Sequence, residues 1–241
     1  MSLAILASNF QEQFYQSFIV QNRWKQFLIG LGVSFRVLIG ALLLGLALGI
    51  IVAIVRTQKA QQKENEKKPV LSILNGICMV YITIIRGTPM MVQLLIMGFV
   101  VFAASRHLIP IAILTLGINS GAYVSETIRG GIMSVDVGQM EAGRSLGMSY
   151  GTVMKDIIIP QAVKAILPAL GNEMITLFKD TSLVQAIGLA DLTKVAIQTQ
   201  AKTYQAFMPY IGIAVVYLVI VMLMTWLLGI MERRLRNSDR R

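Results

Sequence analysis

Two small sets of polar side chains interrupt a chain otherwise dominated by Leu, Ile, Val and Met. Asn119, Tyr123 and Glu126 fall at i, i+4 and i+7, and Glu173, Thr176 and Asp180 at i, i+3 and i+7. Each set therefore shares one face of a helix. Carboxylates carried by two helices can face a common aqueous path, where each needs a cation or water because an unpaired buried carboxylate is costly. A third element is RGTP at 86–89. Gly87 and Pro89 break a helix, freeing backbone N–H groups that, with the Thr88 hydroxyl, could meet a carboxylate, as in transporters with discontinuous helices. Arg86, Ser120 and Lys179 lie beside these groups. One reading is a path for a zwitterionic solute. In the other, Arg86, Glu126, Lys179 and Asp180 pair with one another, or with a second subunit, to hold a bundle together.

Other chemistries lack their residues. Cys78 and His107 are each alone, so no intramolecular disulfide, ordinary zinc site or Ser-His-Asp triad is expected. No G-x-x-x-x-G-K-[ST] phosphate loop occurs, so ATP hydrolysis has no evident seat on this chain. The net charge of +10 invites a nucleic-acid reading. However, the basic residues cluster at 56–68 and 233–241, beside apolar runs and without interleaved aromatics. That is the pattern of cytoplasmic loops that orient a membrane protein against anionic lipid, and nucleic acid is excluded as a partner.

The elements that must position these groups are membrane helices. Charged residues make up only 14% of the chain against 55% hydrophobic, and mean hydropathy is +0.67; soluble domains carry about a quarter charged residues. The fold class expected is all-α and integral to the membrane, with about five transmembrane helices near 28–55, 70–104, 108–133, 161–190 and 207–231. The second contains RGTP and reads as one tilted or broken helix. The fourth is so polar that it must be shielded by neighbours or line an aqueous cavity. Gly45 and Gly49 form a small-xxx-small pair suited to close helix approach. Residues 1–27 read as an extracytoplasmic amphipathic segment with Phe10, Phe14, Phe18 and Trp24 at the membrane surface, and no signal peptide is expected. The bias of basic residues places the N-terminus outside and the C-terminus, with the basic tail 233–241, in the cytoplasm.

On that topology the soluble-looking stretch 136–160, DVGQMEAGRSLGMSYGTVMKDIIIP, is cytoplasmic. It reads as a short helix, a glycine-marked turn, and a second helix starting near Tyr150 with Ser149 as its N-cap, climbing into the membrane near Pro160. Gly143 and Gly147 keep the segment slim, which suits either an ordinary connector or docking into a groove on another protein.

Within this stretch, Glu141-Ala142-Gly143, then Gly147, then Ile157 and Ile159-Pro160 resemble the EAA loop of the membrane subunits of bacterial ABC importers. Gly143 stands where that pattern has Ala, and Ile159 where it has Leu, with the spacing kept. RGTPMMVQ (86–93), NSGAYVSETIRGGI (119–132), IIIPQAVKAILPALGNEMI (157–175) and KDTSL (179–183) are similar to the polar-amino-acid branch of these type I permeases. The resemblance runs from about residue 30 to 234 and implies a transmembrane domain over 28–232. It also implies that the chain is a transport subunit, not an enzyme. It would dimerise with an identical or different permease, couple to two cytoplasmic ATPase subunits, and take substrate from an extracytoplasmic binding protein. ATP and Mg would sit on the ATPase, and no cofactor on this chain. Glu141, Ala142, Gly143, Arg144, Ser145, Leu146, Gly147 and Pro160 would form the ATPase-coupling segment. Gln93, Thr181 and Ser182 would join the substrate path. The competing expectation is a self-contained secondary transporter or channel for small polar solutes, although no internal inverted repeat is visible.

Overall fold

A computed structural model of the chain describes residues 3–62 and 68–238. Part of the basic loop (63–67) and the end of the basic tail (239–241) lie outside the described residues. The described residues form helices and connecting turns only. Helix α1 (Leu3–Phe14) leads through a π-helical turn (Tyr15–Ile19) to a sharp elbow, where Gln21 and Asn22 both adopt φ 55. Arg23 is buried there and its Nη1 donates to the Gln16 carbonyl. Helix α2 (Arg23–Ala60) thus starts earlier and ends later than the span expected at 28–55. At 38 residues it is about 57 Å long, far more than the ~30 Å hydrocarbon core, and Arg56 lies on this helix rather than in the expected loop.

The expected span 70–104 is two pieces. Helix α3 (Pro69–Gly87) stops at Thr88, whose extended backbone (φ −122, ψ 145) precedes Pro89, as sterics before proline require. Helix α4 (Met90–Ile96) then continues through a π turn to Val101. Helix α5 (Leu108–Met133) follows, then α6 (Val137–Ser145), α7 (Tyr150–Val153), α8 (Ile159–Asp180), α9 (Leu192–Thr203) and α10 (Phe207–Ser238). Among the described residues, four stretches are long and apolar enough to cross a membrane: Asn9–Ala60, Pro69–Gly87, Leu108–Met133 and Phe207–Leu235. The fifth, α8, is long enough at 22 residues but carries Asn172, Glu173, Lys179 and Asp180. It ends at Asp180 rather than 190; a 3-10 turn (Thr181–Ile187) and Gly188 at φ 89 redirect the chain.

The centre of the bundle is the α2–α5 pair. Gly45 and Gly49 do form a close-packing seam, and α5 answers with Gly117 and Gly121, a second small-xxx-small pair. A Cβ on Gly49 would lie 2.4 Å from Val124 Cγ1, and one on Gly121 would lie 3.0 Å from Leu48 Cβ. The backbones therefore approach as only glycine permits. Around the seam, Val37, Leu38 and Ala41 pack with Ile111, Leu116, Leu177 and the fully buried Phe178. The Phe178 ring is 5.4 Å from Phe35 and 5.3 Å from Tyr217. Helices α3 and α10 lie outside, with Ile73, Ile77, Val80, Leu218, Met222 and Trp226 exposed, as lipid-facing surfaces should be.

Candidate functional site

The break between α3 and α4 opens a cavity of about 510 Å³, lined by Arg86, Gly87, Thr88, Pro89, Met90, Asn119, Tyr123, Glu173, Thr176 and Asp180. Both polar stripes thus reach one space: Asn119 and Tyr123 from α5, and Glu173, Thr176 and Asp180 from α8. The volume suits a small metabolite.

The cavity wall is held by a polar clamp centred on Gln93. Its Nε2 donates to the Ile85 carbonyl (2.8 Å), the Thr88 carbonyl (3.1 Å) and Thr88 Oγ1 (2.9 Å). Its Oε1 accepts from Asn119 Nδ2 (2.9 Å). One side chain therefore closes the carbonyls freed by the helix break and ties them to α5. Gln93 stands behind the wall and not in it. Thr88 is likewise committed, since its hydroxyl donates to the Ile84 carbonyl (2.8 Å); it is not the free donor expected from sequence. Replacing Gln93 with Leu leaves the Asn119 amide and the Ile85 carbonyl short of partners. The expected cost is about 1–3 kcal/mol, read as a Tm lower by several degrees in detergent.

Arg86 stacks over the Tyr123 ring at 5.1 Å, a cation–π contact that parks the guanidinium at the cavity mouth. Glu173 accepts from Ser120 Oγ at 3.4 Å, so the buried Ser120 braces a lining residue without lining the space itself. Among the described residues, neither Glu173 nor Asp180 makes an ion pair within 4 Å.

Four other expected path residues lie elsewhere. Glu126 sits one turn past Tyr123 and is gripped by Arg129, Nε to Oε1 at 3.2 Å and Nη2 to Oε2 at 2.9 Å. Arg56 of α2 adds a 3.5 Å ion pair. Its role here is to tie α2 to α5, the pairing alternative rather than the path. Thr181 is buried with its hydroxyl on the Phe178 carbonyl (2.7 Å). Ser182 belongs to the half-buried 3-10 turn, and Lys179 is exposed on a neighbouring face of α8. Met90, directly after Pro89, also lines the cavity.

The segment 136–160 has the expected form. The Asp136 side chain accepts from Gly138 N (2.6 Å) to start α6, and Ser149 Oγ accepts from Thr152 N (3.2 Å) to start α7. Gly147, at φ 82, closes α6 with paired bonds, Met148 N to the Gly143 carbonyl and Gly147 N to the Arg144 carbonyl, both 3.1 Å. This is a Schellman ending, and it demands a left-handed residue. Arg144 Nη1 donates to the Met148 carbonyl across the same turn (2.9 Å). Glu141, Ala142, Arg144, Ser145, Leu146 and Gly147 face outward, Leu146 being 82% exposed, and Pro160 lies exposed in the first turn of α8. Gly143 differs from the expectation: it is buried, and a Cβ there would meet Val153 Cγ2 at 2.7 Å. Its slimness lets α6 lie on the following helix and is not offered to a partner. The Tyr150 hydroxyl also donates to Gln61 Oε1 just beyond α2, a link that the sequence did not disclose.

A family model for binding-protein-dependent transport system inner membrane components matches residues 69–237. The chain is 37% identical over 213 residues to the arginine transport system permease protein ArtQ of Bacillus subtilis (strain 168), covering 87% of this chain and 92% of ArtQ. It is 38% identical over 168 residues to the glutamine transport system permease protein GlnP of Escherichia coli (strain K12), covering 68% and 77%. The crystal structure of an amino acid ABC transporter with histidines superposes with TM-score 0.79 at 39% identity, over 90% of this chain and 98% of that one. An inward-facing MetNI methionine ABC transporter superposes with TM-score 0.73 over 87% and 96%; at 16% identity it is alike in fold alone.

Proposed function

Because the chain belongs to the family of binding-protein-dependent transport system inner membrane components, we propose that its cavity is the path by which an ABC importer passes amino acids across the bacterial cytoplasmic membrane. The chain is a permease subunit, and ATP is hydrolysed on a separate subunit. The substrate is a polar amino acid delivered by an extracytoplasmic binding protein, in keeping with relatives named for arginine and glutamine transport. Two ATPase subunits, carrying ATP and Mg, engage the segment 136–160 on the cytoplasmic side, and a second permease covers the open side of the cavity. The N-terminus lies outside. Alternating access follows when the ATPases move that segment and the cavity changes the side to which it opens.

One observation carries the reading. Arg86, Glu173 and Asp180 converge on a single cavity inside a bundle whose outer helices α3 and α10 present apolar surface. Ionisable groups inside membrane segments mark solute pathways by default. The test is uptake into proteoliposomes holding the permease with its ATPase and binding protein. Asp180→Asn is expected to lower ATP-driven uptake at least about tenfold, the scale of one hydrogen bond to a charged group, with the complex still assembling. Undiminished uptake would overturn the assignment of the cavity. Ion-driven uptake by the permease alone would replace an ATP-driven importer with a secondary transporter.

A further inference from the structure

We propose that the groove between the end of α2 and the start of α3 binds an anionic phospholipid. The site lies apart from the cavity and does not depend on which solute crosses. Arg56 and Lys59 stand one turn apart on α2, and both reach the same edge of α3. Lys59 Nζ donates to Gln62 Oε1 (2.8 Å) and Ser72 Oγ (2.9 Å), two neutral acceptors. Arg56 Nη1 donates to Met79 Sδ, a weak acceptor, while its Nη2 lies 3.5 Å from Glu126 Oε1. That carboxylate is already held by Arg129 at 2.9 Å. Among the described residues, Arg56 and Arg129 therefore share one acid, and Lys59 pairs with none. Charges beside lipid-facing surface are stable only when matched, and here an anion is missing.

The shape of α3 says what carries that anion. Ser72, Gly76 and Met79 fall at i, i+4 and i+7 and form the edge that the two cations touch. A Cβ on Gly76 would meet nothing within 4 Å, so the edge is notched between the two contacts. Ile73, Ile77 and Val80 repeat the same spacing one residue on, and all three are exposed. The notch thus opens onto an apolar stripe about 10 Å long. A phosphodiester headgroup fills the notch beside Lys59 and Arg56, and an acyl chain of the same molecule lies along the stripe. Basic pockets between membrane helices take anionic headgroups in this way. A free phosphate would use the cations alone. Gln61, two residues beyond Lys59, accepts from the Tyr150 hydroxyl, so the headgroup rests beside the joint between α2 and the segment 136–160.

The test is native mass spectrometry of the purified permease–ATPase complex, titrated with phosphatidylglycerol or with phosphatidylcholine of matched chains. Phosphatidylglycerol is expected to bind at least about tenfold more tightly, the scale of two cations near a headgroup. Lys59→Gln is expected to weaken phosphatidylglycerol about fivefold and to leave phosphatidylcholine unchanged. Lys59→Arg keeps the charge and is expected to bind like the unaltered complex. Equal affinity for the two lipids overturns the proposal. So does a Lys59→Gln variant with undiminished preference, or a Lys59→Arg variant that loses as much as Lys59→Gln. Inorganic phosphate that displaces the lipid at equal concentration reassigns the site to a free anion and overturns the lipid.

Discussion

Leu146→Glu is expected to leave a folded, membrane-inserted permease that no longer holds its ATPase. Leu146 is 82% exposed, between a helix closed by Gly147 and a helix opened by Ser149, so its side chain supports nothing in this chain. A large apolar side chain on the tip of a rigid turn is suited to fill a pocket on a partner, and central anchors of this kind typically cost about 2 kcal/mol or more when lost. A carboxylate adds the penalty of burying a charge. The expected result is ATPase affinity lower by about thirtyfold or more, measured by titrating ATPase onto the permease in nanodiscs, with Tm unchanged and ATP-driven uptake at background. Wild-type affinity would remove Leu146 from the docking surface.

Gly121→Leu acts in the opposite way, on the fold and not on the partner. A Cβ there would lie 2.9 Å from Tyr81 Oη and 3.0 Å from Leu48 Cβ, with the Gly45 carbonyl oxygen at 3.4 Å. The Tyr81 hydroxyl is the tip of a side chain, but Leu48 Cβ and the Gly45 carbonyl are fixed by the α2 backbone, so the seam has little room to give. The added side chain also pushes on Tyr81, whose hydroxyl donates to the Ile118 carbonyl. Overpacking costs about 1–3 kcal/mol and the loss of this part-buried hydrogen bond about 0.5–1.5 more. Together these take a substantial part of the margin of a domain stable by about 5–15 kcal/mol. The expected outcome is loss of monodisperse protein on size exclusion in detergent. Gly76→Leu, at an exposed position on α3 with nothing within 4 Å, is expected to behave like the unaltered chain. Equal yields for both would mean that α2 and α5 are not locked by their glycines.

The features legible in the sequence were those whose cause is local. Ser149 caps a helix because of its own hydroxyl, Gly147 ends one because of its own backbone, and Thr88-Pro89 breaks one because proline constrains its neighbour. Helical spacing likewise placed Asn119 and Tyr123 on one face, and Glu173, Thr176 and Asp180 on another. What periodicity could not supply was the partner across space. Glu126 shares the face of Tyr123, yet Arg56, 70 residues earlier on an overlong α2, takes it out of the cavity. Gly143 is slim, but the direction of its bare edge depends on where Val153 folds back. Gly117 and Gly121 carry the same signature as Gly45 and Gly49, and only the paired structure shows why four glycines are needed. The early start of α2 follows from the Gln21–Asn22 elbow, a left-handed pair without glycine that no turn signal announces.

The capped turn between α6 and α7 bears on how force enters the molecule. Asp136, Ser149, the Gly147 ending and the Gly143–Val153 contact fix its shape before any partner arrives, so it is a stiff element and not a compliant one. A push at Leu146 is spent on displacement rather than bending. It passes along α7 into α8, which carries Glu173 and Asp180, and through Tyr150 and Gln61 into α2, which is glycine-locked to α5 with Asn119 and Tyr123. Two of the cavity's walls are thereby geared to one input, and on the proposed docking the stroke of the ATPase sets their spacing.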